Sequence, residues 1–153
     1  MAYLKLCRFP TVFTALADIF AGFLLAHPTL EPFPEFVLLL LASGTLYLSG
    51  MVFNDVFDVR QDLLERPGRP IPSGQIPWRN AVVFGGILMA SGLVFAGLAS
   101  LKSLYVAGIL ALMIFLYDGP LKRTPLGPLG MGSCRFLNIL LGASSAGVRL
   151  NAI

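Results

Sequence analysis

The sequence predicts an all-α membrane protein of about five transmembrane helices, built as a single helical domain over residues 1–153. Three observations predict it. Of the 153 residues, 56% are hydrophobic and only 12% charged, which is far more apolar surface than one water-soluble core of this size can hide. The apolar residues fall into long runs, at 9–26, 36–53, 81–100, 101–117 and 129–147, each close to the ~17–25 residues that cross a bilayer as a helix. The runs are separated by short segments that hold most of the charge, proline and glycine.

The first run follows Lys5 and Arg8 and so resembles the start of a secretory signal. It is too long for a signal core, contains Asp18, and ends in Leu25-Ala26-His27-Pro28 without a small-residue cleavage site, so it reads as a membrane helix. The second run ends in Asn54-Asp55-Val56-Phe57-Asp58-Val59-Arg60-Gln61-Asp62. The third carries small residues at Gly85, Gly86, Ser91, Gly92 and Gly97, a pattern suited to close helix packing. The fourth leaves room for only a short turn after the third and begins beside Lys102. The fifth holds Arg135 and Asn138 three residues apart, on one helical face. Cys7 and Cys134 lie in separate segments and form neither a disulfide framework nor a metal-ligand spacing.

Basic residues orient the bundle. Lys5 and Arg8, then Arg60, Arg66, Arg69 and Arg79, then Lys122 and Arg123 occupy alternate connections, whereas the stretch from His27 to Glu35 has no lysine or arginine. The positive-inside bias therefore places the amino terminus, the acidic segment and the Lys122 loop in the cytoplasm. The basic residues are scattered over membrane-edge loops, with no soluble basic module, so the formal charge of +3 gives no support to nucleic-acid binding.

The acidic segment carries the chemistry. On a continuous helix, Asn54, Asp55, Asp58 and Asp62 share one face, where like charges three and four residues apart destabilise unless a cation compensates them. Hard oxygen donors without histidine point to Mg²⁺, which keeps waters and is completed by substrate phosphates. The next stretch, Glu65-Arg66-Pro67-Gly68-Arg69-Pro70-Ile71-Pro72-Ser73-Gly74, is stiffened by proline and offers guanidinium forks that suit phosphate oxygens. Headgroup anchoring is the simpler role for such arginines. Asp18 lies in mid-helix, where a carboxylate must face a cavity or find a partner. Asp118 stands outside the spaced cluster and reads as a turn residue of Asp118-Gly119-Pro120. Its replacement by alanine is expected to matter less than that of Asp58 or Asp62.

Asn54-Asp55-x-x-Asp58-x-x-x-Asp62, followed by Arg66-Pro67-x-Arg69-Pro70-Ile71-Pro72-Ser73-Gly74, resembles the first aspartate-rich motif of the UbiA superfamily of intramembrane prenyltransferases. Tyr117-Asp118-Gly119-Pro120-Leu121-Lys122-Arg123 is similar to that family's Tyr and Lys element. Gly127-Pro128-Leu129-Gly130-Met131-Gly132 and Cys134-Arg135-Phe136-Leu137-Asn138 resemble most the UbiA-like EboC branch.

The resemblance implies Mg²⁺-dependent transfer of a prenyl group from a prenyl diphosphate to an unidentified acceptor, for which an aromatic compound is one option, within a cavity open to membrane lipid. It implies Asn54, Asp55, Asp58 and Asp62 around the metal, with Asp58, Asp62 and Lys122 in catalysis. Arg69, Arg66, Tyr117, Arg135 and Asn138 would contact substrates. It also implies the amino-terminal half of a nine-helix bundle, since the family's second aspartate-rich motif would lie past Ile153; the missing half, or a complementary chain, would complete the site, and the isolated half would be inactive. The alternative is a catalytically silent membrane protein that binds a lipid or pigment precursor or aids its transport.

Overall fold

The computed structural model describes residues 1–145. These form seven α-helices with no strand among the described residues: α1 (Ala2–Leu6), α2 (Val12–Ala26), α3 (Phe33–Phe57), α4 (Val59–Glu65), α5 (Trp78–Ala99), α6 (Leu101–Asp118) and α7 (Gly127–Ala143), with short 3₁₀ turns at Phe9–Thr11 and Leu121–Arg123. Four helices are long and apolar enough to cross a membrane: Phe9–Ala26, Phe33–Phe57, Trp78–Ala99 and Leu101–Asp118. The expected fifth span corresponds to α7, whose 17 described helical residues fall at the short end of the ~17–25 needed. Residues 146–147 of that expected span, and the tail after them, lie outside the described residues.

Local chemistry sets the boundaries. Proline opens α3 and α7 within their first two positions, where a missing N–H costs no helical bond. The third and fourth runs are parted by Ser100 alone, in extended conformation, whose hydroxyl accepts the Ser103 N–H at 3.0 Å and caps α6. This one-residue reversal forces α5 and α6 to lie antiparallel.

α3 is the central element, touching α2, α5, α6 and α7. The main apolar core runs along it through Phe36, Leu39, Leu46 and Phe53, joined by Ile19, Phe23, Leu110, Ile114 and Leu141 from its neighbours. Two glycines set the α2–α7 crossing. A Cβ at Gly22 would stand 2.0 Å from the Ile139 carbonyl oxygen, and one at Gly142 would stand 2.6 Å from the Ile19 carbonyl oxygen. The small residues of α5 serve as expected in part: Gly85 packs against Val52 and Phe53 and Gly92 against Leu46, while Gly86 faces open space.

A second apolar cluster lies near the acidic segment. Leu6 and Cys7 from the amino terminus, Val52 and Val56 from α3, Ile71 and Ile76 from the loop, and Ala81 from α5 are buried together. This cluster fastens both α1 and the proline-rich loop to the bundle. Burial also pushes the Cys7 thiol above its ordinary pKa. The loop is pinned further by backbone bonds from Arg69 N to Arg66 O (3.0 Å), Ser73 N to Arg69 O (2.9 Å) and Ile76 N to Pro70 O (3.0 Å). Gly74 adopts φ +75°, which a side chain would disfavour.

Candidate active site

The acidic segment is not one continuous helix. α3 ends at Phe57, Asp58 sits at φ −92° and ψ 3°, and α4 starts at Val59. The face expected from spacing is shared between two sets of cations. Lys122 Nζ donates to Asn54 Oδ1 (2.9 Å) and to Asp58 Oδ2 (2.7 Å), and Arg123 adds a bond to Asp58 Oδ1 (3.2 Å). Asp55 and Asp62 turn to a different cation. Arg69 donates to Asp55 Oδ1 (3.1 Å) and Asp62 Oδ2 (2.5 Å), and Arg8 donates to Asp55 Oδ1 (2.8 Å). The four side chains thus form two oxygen pairs, each closed by a cation. Among the described residues no three acidic, histidine or cysteine side chains gather in one metal-sized cluster.

Arg8 reads from the sequence mainly as a topology-setting charge, yet it reaches the site. Its backbone adopts φ 47° and ψ 47°, a left-handed conformation uncommon outside glycine. The Arg8 carbonyl is held there by the Thr11 N–H (2.9 Å) and Thr11 hydroxyl (2.7 Å). Arg66 is exposed and forms no ion pair among the described residues.

A cavity of about 350 Å³ opens between α2, α3, α6 and α7, at the small end of the range that takes small-molecule ligands. One stripe of α3 lines it: Ser43, Tyr47, Gly50, Met51 and Asn54, at helical spacing. Its middle is apolar, with Leu110, Ile114 and Met131. Tyr117 lines it as well. No hydrogen bond links Tyr117 to Lys122; Asn54 and Asp58 orient the lysine instead.

The far end is polar. Asp18, which is 8% exposed, accepts from Arg135 (3.1 Å) and from Asn138 Nδ2 (3.3 Å). Asn138 also donates to the Ala15 carbonyl (2.9 Å) and accepts from the Ser43 hydroxyl (2.7 Å). Asp18 therefore has both the cavity and the partner that its depth demands. Arg135 and Asn138 share a face and pair with this aspartate, tying α7 to α2 and α3.

Asp118 reads from the sequence as a turn residue. The structure places it at the end of α6, 4% exposed, on the cavity wall with Asn54. The signal in the sequence was its position four residues before Lys122 at the end of an apolar run.

Comparison with known proteins agrees with this geometry. The profile described as the UbiA prenyltransferase family matches residues 15–152. A digeranylgeranylglyceryl phosphate synthase of Methanosarcina mazei is 36% identical over 123 residues, covering 80% of this chain and 41% of the relative. One of Sulfolobus acidocaldarius is 34% identical over 145 residues, covering 95% and 50%. A solved structure of digeranylgeranylglyceryl phosphate synthase in membranes superposes with a TM-score of 0.90 at 29% identity, covering 97% of this chain and 54% of the other. A UbiA homolog from Archaeoglobus fulgidus bound to GPP and Mg²⁺ shares the fold, with a TM-score of 0.84 at 20% identity. The chain thus spans about half the length of the curated relatives it matches. The narrower EboC-like assignment gains no support from these relatives. With four membrane-crossing helices and a profile match over most of its length, the chain belongs to the UbiA prenyltransferase family, a family of integral, multi-pass membrane proteins.

Proposed function

We propose that this chain supplies one half of the substrate cavity of an intramembrane prenyltransferase, with α7 as a fifth span. The enzyme transfers a prenyl group from a prenyl diphosphate to an acceptor hydroxyl. One observation carries the reading: the Lys122 ammonium is clasped between Asp58 and Asn54, and Asn54 lines a cavity whose walls are largely apolar. The product named for the relatives bears two geranylgeranyl groups on one glyceryl phosphate, so their acceptor class is a prenylated glyceryl phosphate with a free hydroxyl.

The residues fit Mg²⁺ as cofactor. Asn54 Oδ1 and Asp58 Oδ2 are hard oxygens already turned toward a single positive charge, and a small oxygen set from protein suits an ion that retains waters and binds phosphates. Asp62 and Asp55 form the neighbouring pair on Arg69. When bound, Mg²⁺ would neutralise charge developing on the departing diphosphate.

The chain's own residues do the rest. Lys122 is a compact charge on a flexible stem, 11% exposed, and donates to a phosphate oxygen when an anion enters the mouth. Arg69, held on a pinned loop, presents a fork of donors beside Asp55 and Asp62. Arg8 shares Asp55 with Arg69 and lines the cavity, which adds a second guanidinium beside that carboxylate. Tyr47, Met51, Leu110 and Ile114 take the hydrocarbon and exclude water. Arg135 and Asn138, with Asp18, supply the deep polar end that meets an acceptor's polar group. The amino terminus, the Arg69 loop and the Lys122 turn face the cytoplasm.

The test is to incubate the full-length gene product with radiolabelled geranylgeranyl diphosphate and geranylgeranylglyceryl phosphate, with and without Mg²⁺. Label must enter a doubly prenylated lipid only when Mg²⁺ is present. Tight binding of either lipid without transfer would replace this reading with that of a silent binder.

A further inference from the structure

Asp118 is the buried acid that the charge pairs leave out. Asp18, Asp55, Asp58 and Asp62 each hold an arginine or lysine. Asp118 is 4% exposed and lines the cavity with Asn54, Tyr117 and Cys134. Among the described residues its carboxyl takes part in no hydrogen bond and no ion pair. An aspartate that shapes a turn spends its carboxyl on a backbone N–H close by in sequence. Asp118 makes no such bond; the following turn is held by backbone alone, through Gly119 N to Phe115 O at 3.0 Å. The Asp118 oxygens are not among the fully buried polar atoms that lack a partner, and the residue lines the cavity, so the carboxyl's open side is the cavity.

The chemistry of a fitting ligand follows. An anionic phosphate beside this carboxyl would be repelled, and a prenyl hydrocarbon has nothing to donate. A neutral hydroxyl donates one hydrogen bond and satisfies the group. Location separates Asp118 from the other polar end of the cavity. Ser43, bonded to the Asp18 network, lies eleven residues from Asn54 on α3, about 16 Å at ~1.5 Å per residue. Asp118 shares the Asn54 end, where the carbon–oxygen bond of a held diphosphate would break.

We infer that Asp118 is a catalytic residue that binds the nucleophilic hydroxyl of the acceptor and takes its proton. The inference rests on the prenyl-transfer reading. In the step, a lone pair of the acceptor oxygen forms the new bond to C1 of the prenyl group. The C1–O bond to diphosphate breaks and its electron pair leaves with diphosphate. The proton on the attacking oxygen passes to the Asp118 carboxylate, giving the neutral ether and a neutral Asp118.

The experiment compares wild type with Asp118→Asn in the full-length gene product, using geranylgeranyl diphosphate, Mg²⁺ and geranylgeranylglyceryl phosphate. Three quantities are read: transfer to the acceptor, acceptor-free hydrolysis of the donor to prenol, and donor affinity. Transfer should fall at least 100-fold, within the ~10²–10⁴ usual for a general base, while hydrolysis and donor affinity stay within about threefold. Asp118→Glu should recover part of the loss. Unchanged transfer overturns the inference, and so does a parallel loss of transfer and hydrolysis, which would make Asp118 a metal ligand or a structural group. A second measurement needs only wild type: acceptor affinity with the free hydroxyl against its methyl ether. The hydroxyl form should bind at least tenfold tighter, and equal affinity overturns the inference. A wild type that transfers nothing under any condition overturns the prenyl-transfer reading itself, and this inference with it.

Discussion

Replacing Lys122 by methionine separates the two jobs assigned to its ammonium. Without Mg²⁺, Lys122 compensates Asp58 through a 2.7 Å contact in which the side chains are only 11% and 17% exposed, and it bonds Asn54 at 2.9 Å. A hydrogen bond to a charged group is worth ~1.5–3 kcal/mol. Arg123, 3.2 Å away and 58% exposed, would remain on Asp58, but a pair so open to solvent contributes at most ~1 kcal/mol. Lys122→Met should therefore destabilise the Mg²⁺-free protein by about 2 kcal/mol. For a chain of this size that is a fall in Tm of about 4–8 °C. Mg²⁺ entering between Asn54 and Asp58 restores a positive charge, so it should stabilise the variant more than wild type, where it must first displace the ammonium. At a hundredfold excess over its Kd the ion would contribute about 2.7 kcal/mol, enough to cancel the deficit. Thermal unfolding in one detergent across a Mg²⁺ titration measures this. An equal response of both proteins to Mg²⁺ would refute the placement of the metal on this oxygen pair.

Asp58→Ala and Asp62→Ala should each lower Mg²⁺-dependent turnover of the full-length protein by at least 100-fold, about 2.7 kcal/mol of barrier; turnover near wild type at limiting Mg²⁺ would move the metal elsewhere. Gly22→Ala drives a Cβ to 2.0 Å from the Ile139 carbonyl oxygen and should cost about 3 kcal/mol or more in thermal unfolding, whereas Gly86→Ala, with nothing within 4 Å, should gain about 0.5–1 kcal/mol. Cysteines introduced by Glu31→Cys and Arg69→Cys should label from opposite sides of the membrane with an impermeant reagent; labelling from one side would overturn the orientation.

Helices were legible because the solvent leaves few choices. An apolar run that crosses lipid must satisfy its backbone internally, so run length alone locates the spans. The edges moved because polar residues at the interface continue a helix at little cost: α3 extends from the expected 36–53 to Phe33–Phe57, and α5 begins at Trp78 ahead of Ala81. Periodicity reached the acids and stopped at their cations. At 3.6 residues per turn, Asn54 and Asp58 stand about 40° apart and Asp55 and Asp62 about 20° apart, so the spacing itself contains the two pairs. The break at Asp58 and the identity of the cations could not be read from it, since Lys122 and Arg69 come from different connections.

That division explains how so many charges coexist at a membrane edge. If Asp55, Asp58 and Asp62 faced one another without cations, neighbouring carboxylates would force protons onto the site. Distributed as found, Asp55 and Asp62 share Arg69, and Asp58 has Lys122 and Arg123. The two groups are not equivalent. Arg69 sits on a loop pinned by Ile71 and Ile76 in the second core, so moving it would disturb packing. Lys122 sits in a 3₁₀ turn with no residue in either core, and its flexible stem can swing while Asn54 stays fixed on α3 and Asp58 at the junction of α3 and α4. Under the proposed prenyl-transfer reading, the lysine is therefore the cation that would yield to a diphosphate. Asp118, four residues before it and without a partner of its own, is the acid left facing the space where the bond would break.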